Sequence, residues 1–147
     1  MKQKYIDLYM DWAVRAGQMS HSRRLFVGAV IVKDDTVISY GYNGMPAGWD
    51  NNCEFEYTDP QTRRTELVTR KEVLHAESNA ISKLAKSHNS GRDADLFVTH
   101  SPCLECAKLI LQSGISRVYF GTQYRDDSGV KFLEKSGVEV HQIKKGP

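Results

Sequence analysis

The chain has 147 residues, 40% of them hydrophobic, and a formal net charge of +2. That length and apolar content predict a single domain, 1–147, around one core. No run is apolar enough to span a bilayer, and the N-terminal stretch MKQKYIDLYMDWAVRAG is too charged for a signal peptide, so no membrane association is expected. The small net charge argues against general nucleic-acid binding despite the pairs Arg23-Arg24, Arg63-Arg64 and Arg70-Lys71. Three cysteines point to a reducing compartment, the cytoplasm.

In chain order, Tyr5, Leu8, Tyr9, Trp12, Ala13 and Ala16 recur at helical spacing and predict an amphipathic helix that stops near Gly17. Residues 18–26 lose the period. Val27 to Val32 is an apolar, β-branched run, Asp34-Asp35 a turn, and Val37 to Tyr42 a returning strand, which together make a hairpin. Met45 to about Thr62 is rich in Gly, Pro, Asn and Asp and reads as a long loop of the kind that serves function. A second helix runs from His75 with Ala76, Ala80, Ile81, Leu84 and Ala85 inward. Leu96 to Thr99 is a strand leading into Ser101-Pro102-Cys103. The remaining elements are a helix from Cys103 to about Gln112, a strand at Val118 to Phe120, a helix at Gly129 to Lys135 and a strand at Val138 to Ile143. Helix, two strands, then alternating helix and strand predict a layered α/β sandwich on a five-stranded mixed sheet, a hairpin followed by parallel crossovers.

The chemistry concentrates in His75-Ala76-Glu77 and Pro102-Cys103-Leu104-Glu105-Cys106. Two thiolates and an imidazole are three good zinc ligands, and an ion with three protein ligands keeps a fourth position for a small molecule. Cysteines at i and i+3 share one face of a helical first turn, and Pro102 suits a helix start because no amide donor is needed there. Two helix N-termini would converge on the ion and favour the thiolates. Glu77 has no ligand position left to fill and is free to carry protons. H-x-E followed by P-C-x-x-C is the signature of zinc deaminases. By itself the Cys-x-x-Cys pair also suits a redox couple or half of a closed structural zinc site, but Cys53 is the one other cysteine, and His21, His88, His100 and His141 are scattered.

These motifs, together with Asn79-Ala80-Ile81, Ala107-Lys108, Val27-Gly28-Ala29-Val30 and Gly41-Tyr42-Asn43-Gly44 followed by Pro46 and Gly48, closely resemble the cytidine and deoxycytidylate deaminase family, and within it the deoxycytidylate deaminases. The resemblance covers nearly the whole chain. It implies a three-layer α-β-α cytidine deaminase-like fold, one catalytic Zn2+ per chain on His75, Cys103 and Cys106, Glu77 as the proton carrier, and hydrolysis of dCMP to dUMP and ammonia for thymidylate synthesis. It also implies that Asn43 binds the deoxyribose, that Ala76 and Ser101 fix the pyrimidine edge, and that Ser22, Arg23 and Tyr124 serve the sugar and phosphate. Arg23 is favoured over Arg24 by its place next to Ser22. Because Ser22 and Arg23 precede the first strand and Asn43 follows the second, the 18–26 segment is expected to fold back, or to be lent by a neighbouring subunit. The family further implies a homo-hexamer regulated by dCTP and dTTP, with Mg2+ accompanying a triphosphate effector. A second zinc, which several relatives hold before the catalytic helix, is not expected beside Cys53. The competing readings are deamination of dCTP, of free deoxycytidine or of a nucleic-acid base, and a zinc module without catalysis.

Overall fold

The computed structural model describes residues 1–143. Its elements in chain order are α1 (Gln3–Gly17), β1 (Gly28–Lys33), β2 (Thr36–Tyr42), β3 (Glu54–Thr58), β4 (Thr65–Thr69), α2 (Ala76–Ala85), β5 (Asp95–His100), α3 (Leu104–Gln112), β6 (Arg117–Thr122), α4 (Ser128–Lys135) and β7 (Glu139–Gln142). Five strands form one sheet in the order β2-β1-β5-β6-β7. β1 runs antiparallel to both β2 and β5, while β5, β6 and β7 are parallel. The α/β sandwich on a five-stranded mixed sheet is therefore present. Among the described residues no helix is long and apolar enough to cross a membrane.

Alternation along the strands divides the core. Ala29, Ile31, Leu96, Val98, Val118 and Phe120 face α2, α3 and α4, packing on Ala76, Ala80, Leu84, Ala107, Ile110 and Leu133. Val30, Val32, Phe97 and Tyr119 face α1 and pack on Tyr9, Met10 and Ala13. A strand covered on both sides needs apolar residues at successive positions, which is why β1 reads as a continuous run. Phe97 stacks on Tyr119 with ring centroids 4.6 Å apart, and Tyr9 tilts against Phe97 at 5.4 Å.

Two expectations need correction. The buried face of α1 is Tyr9, Met10, Ala13, Ala16 and Gly17, while Leu8 and Trp12 are 50% and 47% exposed. Helical periodicity had marked a stripe turned too far toward solvent. Residues 45–62 are also not one long loop: β3 and β4 form a separate antiparallel hairpin, with Glu54 opposite Thr69 and Thr58 opposite Thr65. Its strands leave Phe55 and Tyr57 exposed, so no continuous apolar face marks them, although Glu-Phe-Glu-Tyr-Thr does alternate with period two.

Two close backbone approaches set the helices that carry the site. A Cβ on Gly41 of β2 would come within 2.4 Å of the Ala76 carbonyl oxygen, and one on Gly129 of α4 within 2.1 Å of the Pro102 carbonyl oxygen. Glycine is required at both positions because β2 packs directly on the start of α2, and α4 on the turn before α3.

Candidate metal centre and substrate pocket

The two helix starts meet at one edge of the sheet. Ser101-Pro102-Cys103 follows the carboxyl end of β5, a usual ligand position in α/β sheets. His75 is brought alongside by a bridge between Leu74 and Gly44, with reciprocal amide-to-carbonyl hydrogen bonds of 2.8 and 3.1 Å. Because β1 and β2 form a hairpin, Gly44 just past β2 lies near the beginning of β1.

His75 and Cys103 occupy the residue before their helices, in extended conformation, and neither side chain caps its helix. Both are left free to face the same point, where Cys106 joins from the first turn of α3. His75 Nδ1 is 3.3 Å from Cys106 Sγ and 3.6 Å from Cys103 Sγ, and the three donor atoms lie within 4.8 Å of one another. Zinc bonds of about 2.3 Å to sulfur and about 2.0 Å to nitrogen place tetrahedral donors roughly 3.5–3.8 Å apart, so the set fits such an ion. Hydrogen bonds from Cys106 and His75 pull the Cys103 thiol down to about 4 against the effect of burial. The Cys106 thiol is pushed up by its hydrogen bond to Cys103 and by burial. Its hydrogen bond to Cys103 raises His75, against burial. The two helix N-termini at this point favour thiolates on the cysteines, the form that ligates a metal.

Glu77, in the first turn of α2, is 4% exposed. Burial pushes its carboxyl up to about 7, opposed by its own backbone amide and by His75. Ala76 is fully buried and begins α2, so its amide has no acceptor within the helix.

A cavity of about 480 Å³ opens from this centre. His75, Glu77 and Cys103 line it together with Ser22, Arg24, Asn43 and Thr69. His100 and Tyr124 form part of the wall, stacked with ring centroids 5.4 Å apart. Burial raises Tyr124 to about 12, with further raising by Glu77 and Cys103 and lowering by Arg24, so the phenol stays protonated and able to donate. Ser101 is buried, and its hydroxyl accepts from the Tyr124 amide at 2.9 Å and from Gln123 Nε2 at 3.1 Å. Its side chain thus holds the Tyr124 backbone.

The residues expected to serve the sugar and phosphate are placed differently from the sequence expectation. The start of β1 and the end of β2 are paired, Gly28 opposite Tyr42, so segment 18–26 meets Asn43 within one chain and needs neither fold-back nor a neighbour. Asn43 clasps the segment: Oδ1 accepts from the Val27 amide at 3.0 Å, Nδ2 donates to the Leu25 carbonyl at 2.9 Å, and the Asn43 carbonyl accepts from Ser20 Oγ at 2.7 Å. Arg23 is not among the pocket-lining residues. Its Nε lies 3.6 Å from Glu54 Oε1, and its Nη2 donates to the Glu54 carbonyl at 3.3 Å. Ser22 lines the pocket, but its hydroxyl donates to Glu54 Oε2 at 2.7 Å. Arg24 does line the pocket, and its guanidinium donates to Thr69 Oγ1, another lining residue, at 3.2 Å. Thr69, Glu54 and His100 were missed in the sequence, where Arg24 stood only as the less favoured of two adjacent arginines. His100 could have been found from its place beside Ser101-Pro102-Cys103, whereas Glu54 carries no local signal.

A three-layer sandwich with this donor set, and with H-x-E and P-C-x-x-C at these positions, defines the zinc deaminase class. Within it the chain belongs to the cytidine and deoxycytidylate deaminase family, whose profile, "Cytidine and deoxycytidylate deaminase zinc-binding region", matches residues 3–122. It is 38% identical over 125 residues to ComE operon protein 2 of Bacillus subtilis, covering 82% of this chain and 61% of that protein. It is 33% identical over 148 residues to deoxycytidylate deaminase of Saccharomyces cerevisiae, covering 97% of this chain and 46% of that protein. The chain thus spans between about half and three fifths of the length of these two relatives. The crystal structure of dCMP deaminase from the cyanophage S-TIM5 in complex with dCMP and dUMP superposes with a TM-score of 0.86 at 38% identity, covering 97% of this chain and 99% of that one. The fold is therefore the three-layer α-β-α cytidine deaminase fold.

Proposed function

We propose that this chain is a zinc-dependent deoxycytidylate deaminase, converting dCMP and water to dUMP and ammonia. The observation that carries the reading is Glu77, a buried carboxyl close in the chain to the His75 donor, in a cavity that His75, Cys103 and Arg24 also line. The cyanophage protein crystallised with dCMP and dUMP supports the same substrate here.

His75, Cys103 and Cys106 would hold one zinc ion, which supplies Lewis-acid activation of water when bound. Glu77 takes a proton from the water that becomes the C4 oxygen, gives a proton to pyrimidine N3, and carries another to the departing amine. Burial favours its acid form and a nearby cation its carboxylate, so the group can accept and give protons near neutral pH. The Ala76 amide and the backbone at Ser101 orient the pyrimidine edge, while His100 and Tyr124 wall the ring from water. Asn43 keeps one donor hydrogen and one acceptor lone pair for the deoxyribose. Arg24 takes the phosphate, because it lines the cavity, its guanidinium is bonded to Thr69 of the same lining, and the guanidinium of Arg23 is engaged by Glu54.

The zinc-loaded protein should release ammonia fastest from dCMP when compared with dCTP, deoxycytidine and a cytosine-containing oligonucleotide. Preference for one of the others would replace the substrate, and no release from any pyrimidine would leave a zinc module without catalysis. The reading extends by family resemblance to supply of dUMP for thymidylate synthesis, activation by dCTP with Mg2+, inhibition by dTTP, and a homo-hexamer. Exposed apolar side chains such as Leu74, Leu104 and Leu109 support assembly. Ligand thiols that must remain reduced support a cytoplasmic setting.

A further inference from the structure

We propose that Glu54 is the positioning residue of the phosphate end: from β3 it fixes the backbone of Arg24, while Thr69, opposite it on β4, fixes the guanidinium. The inference rests on the dCMP reading above. Glu54 is fully buried although it begins an otherwise exposed strand. One of its oxygens, Oε2, accepts from the Arg23 amide at 2.9 Å, the Arg24 amide at 2.8 Å and the Ser22 hydroxyl at 2.7 Å. Consecutive amides aimed at one anion form a nest. Because Glu54 fills this nest, those amides are not available to a substrate phosphate, which leaves the Arg24 side chain to meet it.

Oε1 makes no hydrogen bond and has only Arg23 Nε at 3.6 Å, so the whole carboxylate serves to fold residues 22–25. Glu54 and Thr69 are direct partners across the hairpin. Arg24 is therefore held at its amide and at Nη1, 3.2 Å from Thr69 Oγ1, by two side chains of one ribbon. Fixing an arginine in advance lowers the entropy lost when it binds an anion. An exposed two-stranded ribbon tied to the sheet through a buried carboxylate is thereby explained as a strut for substrate selection.

The test measures kcat and KM for dCMP and deoxycytidine with the full-length, zinc-loaded wild type, Glu54→Gln and Thr69→Val, alongside zinc content. Glu54→Gln should raise KM for dCMP about 10-fold or more, the scale of one charge-assisted hydrogen bond, and leave kcat and deoxycytidine turnover within about twofold. Thr69→Val should move the same ratio by about threefold. Equal losses on both substrates, or an unchanged ratio in Glu54→Gln, would overturn the inference by making Glu54 purely structural. If Glu54→Gln does not fold, the exposed Thr69→Val decides, and an unchanged ratio there is equally fatal. A wild type without preference for dCMP over deoxycytidine would instead remove the dCMP reading, and the inference with it.

Discussion

Glu77 and Arg24 line one cavity, and their substitutions should fail in opposite ways. Glu77→Ala should keep the fold and the zinc and lose kcat by ~10² to 10⁴-fold, or more because the group serves several proton transfers. Near-normal turnover of a zinc-loaded variant would exclude Glu77 as proton carrier. Arg24→Ala should leave deoxycytidine turnover unchanged and lower kcat/KM for dCMP by ~10 to 150-fold, the scale of charge-assisted hydrogen bonds worth roughly 1.5 to 3 kcal/mol. Arg23→Ala should instead show mainly in stability, because its guanidinium lies on the buried Glu54 carboxylate. If Arg23→Ala proves the more selective of the two, the phosphate assignment reverses. The ligands and Glu77 are readable in sequence because each half of the set is a local motif, His75 with Glu77 and Cys103 with Cys106, although the two halves lie 28 residues apart. Arg23 and Arg24 are adjacent, and only the partners Glu54 and Thr69 distinguish them.

At the scale of elements, the β3–β4 hairpin and the 18–26 segment are joined through Glu54. Burial alone would raise its carboxyl, but hydrogen bonds from the Arg24 amide, the Ser22 hydroxyl and the Arg23 amide, with the Arg23 charge, outweigh burial and hold it below the ordinary value of 4.5. A lowered pKa in the folded protein means that unfolding takes up a proton. The stabilisation is full above pH 4.5 and is lost as pH falls through the lower, folded value. Urea unfolding should show Glu54→Gln less stable than wild type by about 1–3 kcal/mol at neutral pH, with the gap narrowing as pH drops below 4.5. A gap constant with pH would mean that Glu54 is not ionised in the fold. The hairpin escaped the sequence reading because both its faces meet solvent over most of its length: β3 alternates over only five residues among Gly, Pro, Asn and Asp, and Thr-Glu-Leu-Val-Thr of β4 does not alternate.

Across the whole molecule, the site is assembled by packing between elements distant in sequence. Gly129→Ala would drive a Cβ to within 2.1 Å of the Pro102 carbonyl oxygen, displacing either α4 or the turn that presents Cys103. Zinc affinity and Tm should therefore both fall, Tm by the equivalent of about 1–3 kcal/mol for overpacking. Loss of Tm with zinc affinity intact would show that α4 yields instead of the turn. Removing zinc with a chelator should lower Tm reversibly, because ligands on two helix starts tie α2 to α3. By itself the sequence determined the α/β class, the order of the five core strands' elements along the chain, and the His75, Glu77, Cys103, Cys106 constellation. These depend on periodicity, turn residues and two short motifs, each within a few positions, whose residue types themselves imply one shared metal although His75 and Cys103 are 28 residues apart. Only the tertiary structure decided which face of α1 is buried, that pairing of the start of β1 with the end of β2 brings Ser20, Leu25 and Val27 to Asn43, and that Glu54 takes Arg23 and leaves Arg24 among the cavity-lining residues. The physical reason is that these outcomes depend on contacts across 16 or more residues, such as Asn43 to Val27 and Glu54 to Arg24, where strand pairing and burial choose among side chains that are equivalent in local sequence.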